Sequence, residues 1–495
     1  MSRSCCTTRS SFDRLPVLAP ERVCPYPRVP LSPASNAPHS GWLVDRMNLR
    51  KTRLQRMLAA LEPANSTGPA SSNVDLRATL GALGPALLEG GQATNEVEAS
   101  LQALADAYGR PDVRVFVLPT LIIIDDPEAE KTAVFPATGE PLRLDQEGLI
   151  EHLMHRAARE QLPPEDVVSE VQRITALKPR FGFLLSVVGH MLLTLGFGMV
   201  MNPTAAALPV YAVLGLVVGV LVMLGSRIRT LSLVLPVVAA FVATVTVSLA
   251  NESVTDGNVL LLVAPAVVSL LPGLTLTIAA VELTNGQIMA GASRLVYGFA
   301  RLGLLAFGVY VGIAVTGASL AEKTSSDRLG SWAPWVGILL VGVGYYFYEI
   351  APKHSLLWIV FALALAYGAQ LIGHALVGAE LSGMIGALVA VPAIYLASHL
   401  KAAPPPAVML TCAYWMLVPG ALGFIGLSEA ASGTAGASST LMQTIGSIFA
   451  IAIGMVLGTG LSRDTGAAAR AWNRRGPAAR PTSTGQGGRA DKLLS

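Results

Sequence analysis

Two stretches of this chain, LLPGLTLTIAAVELTNG at residues 270–286 and LVPGALGFIGLSEAASG at 417–433, align without a gap. Both read L-x-P-G-x8-E-x3-G, so Pro272, Gly273, Glu282 and Gly286 match Pro419, Gly420, Glu429 and Gly433 at an offset of 147 residues. Around them the sequence is apolar in ten runs, at about 181–201, 205–224, 231–250, 259–281, 293–317, 332–350, 355–373, 376–397, 407–428 and 440–461. Each is long enough to cross the ~30 Å hydrocarbon core of a bilayer. Adding 147 to the first five runs lands on the second five. An odd number of spans per copy makes the second copy enter the membrane from the opposite side, the inverted-topology repeat of secondary transporters. The expected fold is an α-helical polytopic membrane protein. Its ten transmembrane helices form two five-helix inverted repeats, 181–317 and 332–461, preceded by a small soluble α+β domain.

Composition agrees. Of 495 residues, 52% are apolar and 14% charged, with mean hydropathy +0.54, against roughly 25% charged in a soluble domain. The net charge of +3 is too small to argue a nucleic-acid partner. Its distribution says more: 20 positive and 22 negative charges in residues 1–180, 8 of each in 181–462, and 7 against 2 in 463–495. Arg173, Lys178 and Arg180 precede the first span, and Arg227, Arg229, Arg294, Lys353 and Lys401 follow the second, fourth, sixth and eighth. The opposite loops are neutral or acidic, as in NESVTDGN at 251–258. The Lys/Arg bias places both termini in the cytoplasm.

Residues 1–73 read as a disordered leader with a basic amphipathic segment, RMNLRKTRLQRMLAAL at 46–61. Residues 463–495 read as a basic cytoplasmic tail. Between 74 and 178 the pattern is globular. Leu76, Leu80, Leu83 and Leu87 mark one helix, stopped by Gly90-Gly91. A second starts after Thr94-Asn95, with Glu96 in its first turn. VRVFVLPTLIIID at 113–125 predicts two strands broken at Leu118-Pro119, and Thr132–Phe135 a third. Helices over about 145–160 and 164–177 follow, the first burying Leu149, Ile150, Leu153 and Met154. That face turns His152 and His155 to solvent, and no third metal ligand stands nearby. Cys5, Cys6, Cys24 and Cys412 follow no zinc or disulfide spacing. No nucleophile elbow, P-loop or HExxH motif occurs. No catalytic residue, metal or cofactor is expected.

The candidate site lies in the repeat. Proline removes a backbone donor and glycine lets the chain unwind, so Pro272-Gly273 and Pro419-Gly420 predict helix breaks near mid-membrane, where half-helix N-termini would face a substrate carboxylate. These four residues are the candidate substrate-binding set. Glu282 and Glu429, nine residues past each glycine or ~13 Å along a helix, read as gates or helix ends. His190, in the first span, and Arg294 join them as candidates for proton coupling or gating.

The chain resembles the bacterial threonine/serine exporter family over about 85–465. The resemblance rests on GGQATNEVEASLQALADAYG followed by VRVFVLPTLIII, and on VLLLVAPAVVSLLPGLTLTIAAVELTNGQIMAGASRL at 259–295, with Pro272, Gly273, Glu282, Gly286 and Arg294. It implies a hydrophilic N-terminal domain before ten spans in the bacterial cytoplasmic membrane. It also implies export of L-threonine and L-serine driven by protons, by antiport. A membrane-anchored enzyme with catalysis in 74–178 and a passive efflux channel are the alternatives. The expected partners are L-threonine, L-serine, protons and the lipid bilayer, with homo-oligomerisation left open.

Overall fold

The computed structural model describes residues 76–474, apart from 202–203, 226–227, 251–258, 318–327, 401, 418–419 and 432–436. The expected leader 1–73, Pro419 and the tail beyond 474 lie outside the described residues. The chain divides into Met1–Ser72 and Asn73–Ser495, and all that follows concerns the second unit.

Four helices and a three-stranded antiparallel meander come first. α1 is Leu76–Glu89 and α2 is Thr94–Ala107. β1 (Arg114–Leu118), β2 (Leu121–Asp126) and β3 (Lys131–Pro136) pair in the order β1-β2-β3, with Val115 opposite Ile124. α3 is Leu144–Glu160 and α4 is Pro164–Thr175. The period-2 pattern decides the packing: Val115, Val117, Ile122 and Ile124 are buried on one sheet face, while Phe116 stays 53% exposed on the other. Leu80, Leu83, Leu101, Leu104, Ile150 and Ile174 from the four helices complete that core. Buried Asp126 is held by Arg110 at 2.7 Å and by Arg77 at 3.6 Å.

Leu149 is not in the core as expected but 40% exposed. The reason is that α3 is buried on two sides. Ile150, Leu153, Met154 and Ala157 face the α/β core, Glu147 and Gly148 face the membrane helices, and Leu149 falls between.

The apolar half comprises α5 (Phe183–Met201), α6 (Leu208–Gly225), α7 (Arg229–Ser248), α8 (Val259–Ala266), α9 (Gly273–Thr284), α10 (Ile288–Thr316), α11 (Ala333–Tyr348), α12 (Leu356–Val377), α13 (Ala379–Ala397), α14 (Pro406–Leu417), α15 (Gly420–Ala431) and α16 (Ala437–Arg474). By length and composition, seven described helices can cross a membrane: α5, α6, α7, α10, α12, α13 and the 442–462 part of α16. The bent pair α8–α9 makes eight. The chain is a multi-pass membrane protein. The other two expected spans are 332–350, seen as the 16-residue α11, and 407–428, divided into the 12-residue α14 and α15. Outward-facing apolar residues such as Leu357 (81% exposed) and Leu233 (73%) suit contact with lipid. The last helix continues to Arg474, past the expected end at 461.

Helix bounds recur along the chain. α8 and α9 start at 259 and 273, and α14 and α15 start 147 residues later, at 406 and 420. Packing recurs with them. α5 on α6, α6 on α7, α7 on α10 and α9 on α10 return as α11 on α12, α12 on α13, α13 on α16 and α15 on α16. The crossed pairs α10–α15 and α8–α15 return as α16–α9 and α14–α9. Small residues make the close approaches. A Cβ on Gly308 would stand 2.4 Å from the Val237 carbonyl of α7, and one on Gly454 2.3 Å from the Met384 carbonyl of α13. α5 and α11 meet backbone to backbone, with a Cβ on Gly196 reaching 2.6 Å from the Gly337 carbonyl.

Candidate functional site

The first Pro-Gly pair breaks its helix. α8 and α9 meet at 64°, with a 3₁₀ turn, Val268–Leu270, between them. Pro272 stands outside α9 as its N-cap at φ −82°, ψ 39°, and its carbonyl accepts the Leu276 N–H at 2.9 Å. Gly273 opens α9 and is buried, and the Thr277 hydroxyl returns to its carbonyl at 2.9 Å. In the second half α14 ends at Leu417 and α15 opens at Gly420.

His190 is fully buried beside the first break. A carbonyl only accepts, so Nδ1–H donates to the Gly215 carbonyl at 3.0 Å, and Nε2 of the neutral ring accepts the Ser269 hydroxyl at 2.9 Å. Gly219 supplies the room, since a Cβ there would lie 3.1 Å from His190 Cβ. The imidazole therefore ties α5 and α6 to the turn before Pro272.

Glu282, in the last turn of α9, is 0% exposed. Its Oε1 accepts Arg294 Nε at 3.2 Å and the backbone N–H of Thr94 at 2.9 Å. Oε2 is buried without a partner. Thr94 is the first residue of α2, whose N-cap is Ala93 with no capping side chain. This corrects the expected helix start after Thr94-Asn95: a carboxylate from a membrane helix satisfies the N-terminus that a local side chain usually caps. It also sits where the helix dipole favours negative charge. Of the sequence-selected residues, Glu282 and Arg294 are brought together, His190 adjoins the Pro272 break, and no described hydrogen bond or ion pair joins half-buried Glu429 to them.

Sequence reasoning missed the residues that seat the α/β layer. Glu151 Oε2 accepts the Ala407 N–H at the start of α14 at 3.2 Å. Glu147, 6% exposed, accepts the Thr411 hydroxyl at 3.4 Å. The Leu144 N–H donates to the Glu349 carbonyl at 3.2 Å, and Arg180 donates to the Ala351 carbonyl. Gly148 is the available signal: a glycine inside a helix often marks a close approach, and a Cβ there would lie 3.2 Å from Val408 and 3.6 Å from Pro352. Burial first, then Glu151, push the Glu147 carboxyl well above the usual carboxylate range; the Thr411 hydroxyl opposes them, and Glu349 adds the smallest contribution upward. A 210 Å³ cavity lies at this junction, bordered by α2 and α3 on one side and α9 and α14 on the other. His152 and His155 are exposed, and among the described residues no group of three His, Cys, Asp or Glu is placed to hold a metal.

No curated protein and no solved structure matches the chain. Residues 78–316, from α1 through α10, match the family model ThrE, described as "Putative threonine/serine exporter". Over that stretch, a little under half of its length, the chain is similar to the threonine/serine exporter family.

Proposed function

We propose that the chain exports small hydroxy amino acids, L-threonine and L-serine, across the bacterial cytoplasmic membrane in exchange for protons. The observation that carries this reading is the family match, which runs through the α/β layer and the first half of the membrane helices without interruption. On this reading the protein is a transporter and not an enzyme, with ten spans arranged as two inverted five-helix repeats and both termini cytoplasmic. Helix bounds at 259 and 273 that recur at 406 and 420, and packing that recurs with them, support the repeat. The 64° bend at Pro272-Gly273 supports a substrate site at the breaks, formed by Pro272, Gly273, Pro419 and Gly420. His190, hydrogen-bonded at both ring nitrogens beside that bend, is the candidate proton carrier. Glu282, Arg294 and Glu429 act as gates.

The test is reconstitution of the full chain in liposomes loaded with labelled L-threonine. Efflux should rise when an imposed pH gradient supplies protons on the far side. Efflux without gradient dependence would replace antiport by a passive channel, and no efflux would refute transport of this substrate.

A further inference from the structure

The cavity at the layer junction has an unusual charge balance. Among the described residues, its walls include the carboxyl side chains of Glu96, Glu147 and Glu151 and one basic side chain, that of His155. That imidazole is 65% exposed and 3.8 Å from Glu151. Glu147 is more than nine-tenths buried, no described Lys or Arg lies within ion-pair distance of it, and the single described hydrogen bond of its carboxyl is the long one from Thr411. Burying a carboxylate without a cation is costly. Apart from Gln92, the remaining described walls are apolar or hydroxylated, with Leu410, Ile278, Tyr395 and Tyr414. An acidic floor between apolar walls in 210 Å³ suits a small molecule with a protonated amine and a short side chain.

We propose that this cavity binds the ammonium group of a small amino acid, with Glu147 as its counter-ion and Glu151 beside it. The identity of the amino acid rests on the exporter reading; the amine site does not. α9 and α14, which border the cavity, each belong to one of the two broken spans. Chemistry follows from the balance of charge. Glu147 holds either a proton or the ammonium, and as the ammonium arrives the carboxyl proton leaves to water. The raised affinity of Glu147 for its proton makes the two cations compete.

The experiment uses the full chain in lipid nanodiscs and three probes: L-threonine, 1-amino-2-propanol, which keeps the amine without the carboxylate, and 3-hydroxybutyrate, which keeps the carboxylate without the amine. Calorimetry should show binding of the first two and not the third. Glu147→Gln should weaken both by at least ~10-fold, the scale of one charge-assisted contact, and remove the rise of affinity with pH. A second readout needs no variant. Dicyclohexylcarbodiimide attacks protonated buried carboxyls, and its labelling of Glu147, read by mass spectrometry, should fall with 1-amino-2-propanol and not with 3-hydroxybutyrate. Undiminished labelling at saturating amine, or unchanged affinity in Glu147→Gln, overturns the proposal. Threonine efflux with no amine protection would leave the exporter reading standing and this site refuted. Protection without efflux would do the reverse.

Discussion

Replacing Thr94 by proline would delete a single hydrogen bond between the α/β layer and the membrane helices. Thr94 is the first residue of α2, where proline's fixed φ and missing N–H are tolerated. Ala93 before it is already extended, at φ −70° and ψ 145°, as a residue preceding proline must be. What is lost is the Thr94 N–H that donates to Glu282 Oε1 at 2.9 Å. Glu282 is fully buried, its Oε2 has no partner, and Arg294 remains the other donor at 3.2 Å. A hydrogen bond to a charged group contributes about 1.5–3 kcal/mol, so seating of α2 on α9 should weaken about 10- to 100-fold. Hydrogen exchange with mass-spectrometric readout on the full chain is the assay. Amides of 273–284 and 94–107 should exchange faster by that factor, while those of β1 and β2 stay protected. Thr94→Ala is the control: it keeps the N–H and removes a buried hydroxyl that has no partner, so exchange should be unchanged or slower. Equal protection in Thr94→Pro and wild type would refute the claim that Glu282 holds the layer.

Three further outcomes follow. Glu147 faces Glu151 and His155 on its own helix, Glu96 from α2, Thr411 from α14 and Glu349 at the end of α11. Because its folded-state carboxyl lies above the ordinary value of about 4.3, its stabilisation is complete below that pH and is lost as pH rises through the raised value; Glu147→Gln should flatten the fall in Tm as pH rises above that ordinary value, and an unchanged slope would count against it. Gly148→Val places side-chain atoms where a Cβ already stands 3.2 Å from Val408, so it should cost about 1–3 kcal/mol by overpacking and lower the Tm of the purified full chain. Gly273→Leu and Gly420→Leu should abolish threonine efflux while inserted protein and its Tm are retained, since leucine restores helix propensity at the breaks; well-folded variants that still export would sink the site at the breaks.

The sheet of the α/β layer and its helices were legible because each element carries its own pattern. Alternating burial in VRVFV and LIIID marks the two strands, and Pro119 falls in the turn between them. The break at Pro272-Gly273 was legible for the same local reason. What composition hid was everything decided by a neighbour distant in sequence. Thr94 reads as a helix-start residue in any sequence, yet its partner lies 188 residues away. Nothing local marks Glu147 for burial; the Thr411 hydroxyl it accepts lies in α14, more than 250 residues on. Leu149 reads as core and is exposed because a second surface claims the neighbouring face of α3. The division of 407–428 into two short helices was visible in its Pro-Gly pair, but a hydropathy window averages over such a break.

These distant contacts share an arrangement that bears on mechanism. Glu282 belongs to α9, the half-helix after the first break, and the Glu147 and Glu151 contacts are made to α14, the half-helix before the second. The α/β layer therefore grips one half of each broken span. A rigid clamp on both halves would oppose any motion at the breaks, so on the exporter reading these contacts loosen during the cycle. The chemistry of Glu282 and Glu147 suits that demand. Glu282 is held by one donor from the layer and one from α10, so it can keep Arg294 when Thr94 departs. On the amine-site proposal Glu147 exchanges a proton for a cation, which changes the charge at the α3–α14 contact. The carboxylate contacts can be loosened by protons or ammonium groups at little cost to the layer's own fold, because the α/β core is made by residues of the layer alone.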